Sequence, residues 1–167
     1  LHVLAIGLAG ILIIGLLIKS QNDLLRQPGQ KNGYTAYNNA PTKWAVLVLM
    51  SGWQSNVVYT RAVKKIVWLD YVWMLFFGST ILYALAIGFT HQAGGSRYWY
   101  AAGMALLAIA ISIDAMQDTA IYRHLTGHVY VDLRWLTKTK FSMLAIAIII
   151  GLVAIIKNWM VVLEQGF

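Results

Sequence analysis

The chain has 167 residues, of which 59% are hydrophobic and 11% charged, and its mean hydropathy of +0.64 excludes an ordinary soluble domain of this size. Its formal charge of +7 does not point to nucleic acid, because the basic residues track one set of loops instead of one soluble face. The absence of cysteine excludes disulfides, thiolate metal sites and cysteine nucleophiles.

The first element is predicted over residues 1–19, apolar from Leu1 to Ile18 except for His2. At a rise of about 1.5 Å per residue it just crosses a hydrocarbon core of about 30 Å. It ends in Ile18-Lys19-Ser20 and not in a small-residue cleavage site, so a retained helix is expected. Residues 20–42 are polar and broken by Pro28-Gly29 and Asn38-Asn39-Ala40-Pro41. An aqueous tether is expected there, with a partner-binding segment or a lid over the cytoplasmic face, carrying Tyr34 and Tyr37, as the alternative.

Over residues 43–65, Val46, Leu49, Met50, Trp53 and Val57 follow helical spacing while Ser51, Gln54, Asn56 and Arg61 interrupt the apolar surface. The pattern predicts an amphipathic helix lying in the headgroup plane. Three further spans are predicted at residues 66–90, 98–122 and 141–163. Their flanks carry Trp68, Tyr71 and Trp73, then Tyr98-Trp99-Tyr100, then Trp135 and Trp159, matching two interfacial aromatic belts. Ala5/Ala9, Ala84/Gly88, Ala101/Ala105 and Ala147/Gly151 are spaced for close helix approach. The expected fold is therefore all-α: one domain over residues 1–167, a four-helix transmembrane bundle with an interfacial amphipathic helix between the first two spans.

All of the 13 lysines and arginines except Arg97 and Lys157 fall in residues 19–65 and 123–140. This bias places those connections in the cytoplasm and both termini outside it, as expected of a protein of the bacterial cytoplasmic membrane.

The informative chemistry is acidic. Asp70 lies just inside the start of the second span, Asp114 and Asp118 share a face near the end of the third with Gln117 beside them, and Lys138 and Lys140 approach the same depth. Each acid costs about 2.5–3.5 kcal/mol on insertion scales, so all should turn inward and find partners. The preferred expectation is an interhelical salt bridge from Asp70 or Asp114 to Lys140; the competing one is a substrate, ion or proton site.

His124 and His128 have an HxxxH spacing that, with Asp118 or Asp132, suits zinc or iron, although histidines in a basic loop are more often solvated. His2 and His91 lie near the opposite boundary, where two axial haem ligands are conceivable but ordinary boundary histidines are commoner. No cofactor is expected. The chain lacks GxSxG, a phosphate loop, HExxH and a dinucleotide-binding glycine turn, so catalytic residues are not assigned and enzymatic activity is not the first expectation. The first functional expectation is a non-catalytic scaffold or accessory subunit that sits in the lipid bilayer and packs against other transmembrane chains or itself. The alternative is a small transporter or membrane enzyme that uses Asp70, Asp114 and Asp118 for a proton, cation or lipid headgroup.

Overall fold

A computed structural model describes residues 2–26, 33–34, 36–37, 40, 42–91, 97–129 and 131–164. The helices are α1 (His2–Leu24), α2 (Lys43–Gln54), α3 (Val57–His91), α4 (Arg97–Leu125) and α5 (Thr137–Glu164), the last preceded by a 3-10 turn at Arg134–Leu136. Four of them, α1, α3, α4 and α5, are long and apolar enough to cross a membrane. The all-α bundle expected from composition is the fold observed, with α2 as the additional amphipathic helix.

The boundaries differ in one informative place. The amphipathic helix predicted over residues 43–65 is split, and residues 57–65 form the first turns of the 35-residue α3. The break is chemical. The Ser55 N–H closes α2 on the Ser51 carbonyl at 3.0 Å, and Asn56 then starts α3, its Oδ1 accepting from the Val58 N–H at 2.8 Å and its carbonyl from the Thr60 N–H at 2.9 Å. An Asn that caps a new helix and an Asn on the polar face of a continuing one look alike in a periodicity reading.

The start of α2 is capped by Thr42, whose side chain accepts from the Ala45 N–H at 3.1 Å. Its apolar face, Val46, Leu49, Met50 and Trp53, is fully packed against Ala62, Val63, Ile66 and Val67 of α3, Ile121 and Leu125 of α4, and Leu25 and Tyr37 of the first connection. That connection is therefore not a free tether at those positions, since Leu25 and Tyr37 are among the most buried side chains. Pro28-Gly29, Asn38-Asn39 and Pro41 lie outside the described residues.

A second core, built from Ile81, Leu85, Tyr100, Leu107, Ala147 and Ala154, fills the bundle toward its other end. The central helix is α3, against which α1, α4 and α5 all pack, and α4 also packs on α5. Small residues set these approaches. Gly151 faces Ala84, and a side chain at Gly88 would collide with Tyr100 and Ala154, so the Ala84/Gly88 and Ala147/Gly151 pairs sit where α3 crosses α5. On α1 the close approach is made instead by Gly7 and Gly10, whose added Cβ atoms would strike Thr80 and the Phe76 ring; Ala5 and Ala9 are exposed. On α4 Gly103 comes close to Leu85, while Ala105 of the Ala101/Ala105 pair is exposed. Spacing identifies candidate small-residue faces, but only the neighbour selects among faces rotated by one residue.

Candidate ligand site at the basic end of the bundle

Because Asp114, Gln117 and Asp118 stand at i, i+3 and i+4 on α4, they share a face, and α3 and α5 bring Asp70 and Lys140 to it. Lys140, at the start of α5, is buried and ion-paired with Asp114. It also donates to Gln117 Oε1 at 3.1 Å. The Gln117 amide nitrogen in turn donates to the Leu133 carbonyl at 2.8 Å and Thr137 Oγ1 at 3.0 Å, tying α4 to the start of α5. Lys138, by contrast, is exposed.

Asp118 is only 3% exposed. Its Oδ1 accepts from the Tyr34 hydroxyl at 3.1 Å, and its Oδ2 is buried with no hydrogen-bond partner among the described residues. Asp70 lies beside it, close enough for the two carboxyls to interact side chain to side chain. Both open on a cavity of about 360 Å³ that continues along α3 past Trp73 to Phe77, with Gly15 and Ile18 of α1 forming one wall. Three carboxyls and one ammonium line this space, so a fully ionised cluster is two charges negative. Kept out of water, such a surplus needs protons or a cation to offset it.

Tyr34 covers the cavity from the first connection. Its backbone N–H is held by the Asn22 side chain at the end of α1. The preceding Gly33 adopts φ +48, and a side chain there would also collide with Asn22. The Tyr34 ring stacks on Trp53 of α2 at 6.0 Å and 14°. Burial of the hydroxyl, followed by the charge of Asp118, pushes the Tyr34 phenol well above its ordinary value of 10.0. The phenol therefore remains a donor throughout the physiological range. A raised folded-state value means that this contribution to stability is complete below the unfolded-state value near 10 and is lost as pH rises beyond it. Tyr34→Phe should cost about 1.5–3 kcal/mol if Asp118 is ionised and about 1 kcal/mol if it is neutral, and should remove part of the alkaline decline in stability. Unfolding titrations of both proteins between pH 7 and 11 check this; an unchanged alkaline limb rules the bond out as its source.

Sequence spacing brought the four α4 and α5 side chains together, but the contribution of Tyr34 lies 84 positions away from Asp118. Its only advance signal was an aromatic residue in a polar loop. The histidines are placed differently. The helix ends at Leu125, Gly127 turns the chain with φ +95, and the ring nitrogens approach local backbone: His124 Nδ1 the His128 carbonyl at 3.1 Å and His128 Nδ1 the Arg123 carbonyl at 3.2 Å. HxxxH is thus not displayed on one helical face. Among the described residues no three His, Asp or Glu side chains are grouped to hold a metal, and Asp118 is turned into the cavity. At the other end His2 is exposed, while the side chain of His91 lies outside the described residues.

The chain matches no protein-family model, and comparison with curated proteins and with solved structures finds no match.

Proposed function

We propose that this is a membrane protein that takes a proton or a cationic group into the acidic cavity, as a small transporter or membrane enzyme, in preference to the passive scaffold role that missing motifs first suggest. The observation that carries the reading is Asp118: beyond the Tyr34 hydroxyl its buried carboxyl has the Asp70 carboxyl beside it and no amide or ammonium donor on Oδ2 among the described residues, and the two acids line one cavity. The stitching role is met by the Asp114–Lys140–Gln117 group. That division leaves Asp70 and Asp118 for ligand. The excess of Lys and Arg at this end supports a cavity that faces the cytoplasm, with both termini on the opposite side.

The test is uptake of protons and of labelled monovalent cations, organic ones included, by proteoliposomes holding the full chain. Asp70→Asn and Asp118→Asn should each lower uptake by about tenfold or more while elution profile and unfolding midpoint stay near wild type. Unchanged uptake in either variant, or a wild-type chain that moves nothing while the variants only lose stability, would return the protein to the scaffold reading.

A further inference from the structure

The cavity has an apolar continuation. α1 rests on α3 and makes at most marginal contact with α4 and α5, which leaves a crevice between α1 and α5 floored by α3. Its far part is a groove of about 270 Å³ flanked by Leu8 and Ile11 of α1 and Ile148 and Gly151 of α5. Phe77 lines both this groove and the acidic cavity. Order along the helices agrees on all three sides: the groove residues continue the cavity residues in one direction, from Ile18 to Leu4 on α1, from Asp70 to Ala84 on α3, and from Lys140 to Ile155 on α5. From Asp70 to Ala84 the path is about 21 Å at 1.5 Å per residue. Acid therefore occupies one end of a long slot and aliphatic surface the other, and at the junction Trp73 stacks on Phe77 at 4.5 Å.

We propose that the ligand of this slot is an amphiphile with an ammonium head and an alkyl tail, entering sideways from the bilayer between α1 and α5. This inference rests on the cation-site reading above and specifies its ligand class. The head is recognised by charge, at Oδ2 of Asp118, which has no amide or ammonium donor among the described residues, and at Asp70 beside it, with Trp73 and Tyr34 also lining the cavity. Lys140 does not repel it, being neutralised by Asp114 and bonded to Gln117. The tail gains little by leaving lipid for an equally apolar groove, so the groove selects by shape: it admits a chain attached to the head and holds it in register.

Binding to the full chain in phosphatidylglycerol nanodiscs, with dodecyltrimethylammonium and tetramethylammonium as probes and empty discs as blank, tests this. Asp118→Asn should weaken both probes by about tenfold or more. Leu152→Trp and Leu8→Trp fill the groove from opposite walls. Leu152 is 53% exposed and Leu8 56%, so neither change disturbs the core. Each should weaken the dodecyl probe by about tenfold and leave tetramethylammonium unchanged.

If both groove variants bind the dodecyl probe as wild type does, or if neither probe binds while Asp118-dependent uptake persists, the amphiphile inference is overturned and the cation-site reading stands. Loss of that uptake as well overturns both. The source of the ammonium group is settled by adding phosphatidylethanolamine to the discs: competition with the dodecyl probe, and retention of that lipid by the wild type but not by Asp118→Asn, identify a membrane aminolipid. Absence of competition identifies a lipophilic amine from outside the membrane.

Discussion

Lys140→Met is expected to destabilise the bundle by about 3 kcal/mol or more, because it leaves three carboxyls in the interior with no cation among them. Lys140 is held at 7% exposure by its pair with Asp114 and by Gln117, so loss of the ammonium also strands Gln117 Oε1. The double variant Lys140→Met/Asp114→Leu distinguishes a removed pair from an orphaned charge. Replacing both partners with apolar groups of similar shape is often neutral, and the double variant should recover most of the loss. Unfolding of the purified chain in mixed micelles, measured for the two single variants and the double, gives the coupling directly. Additive losses would mean that Lys140 and Asp114 act independently, contrary to the geometry.

Trp53→Ala is expected to cost about 3–5 kcal/mol, the range for removing a large aromatic side chain from a close-packed core. Trp53 is the largest fully buried side chain, at 0% exposure, and joins α2 to the cluster formed by α3, α4 and the first connection. Its indole N–H is buried without a hydrogen-bond partner among the described residues, so its role is packing and stacking. Trp53→Phe, which keeps an aromatic face and removes the unpartnered N–H, should therefore be much milder. Tyr34 lies on this ring, which links the core to the site. In Trp53→Ala the backbone amide of Tyr34 should exchange hydrogen faster than in wild type, and the affinity for a cationic probe should fall with it. Faster exchange without loss of affinity would show that Tyr34 covers the cavity without contributing to binding.

How far each feature could be read before folding depends on the range of the interactions behind it. The four spans are properties of single windows, since a run of about 20 apolar residues crosses a bilayer whatever surrounds it, and each helix differs from expectation mainly at one end, α1 and α4 running on to Leu24 and Leu125 and α3 and α5 starting early at Val57 and Thr137, with the opposite ends within one residue. The shared face of Asp114, Gln117 and Asp118 is equally local. The helix break at Ser55-Asn56 was not legible, because two polar residues fit the exposed side of one long amphipathic helix as well as they fit a cap. Nor was the choice of Gly7 and Gly10 over Ala5 and Ala9 on α1, which depends on where Thr80 and Phe76 project from α3.

Composition and spacing alone determined that this is a four-span, all-helical membrane bundle with acids and a lysine at comparable depth, because hydropathy, helical period and the cost of charge in hydrocarbon act over one or a few turns. Only the tertiary structure decided which acid Lys140 pairs with, that Tyr34 closes over Asp118 from a distant loop, and that α1 stands off α5 to leave a slot from Asp70 to Ala84. Those outcomes rest on the packing of helices remote in sequence, where one residue of rotation exchanges the side chain that faces a partner for one that faces lipid.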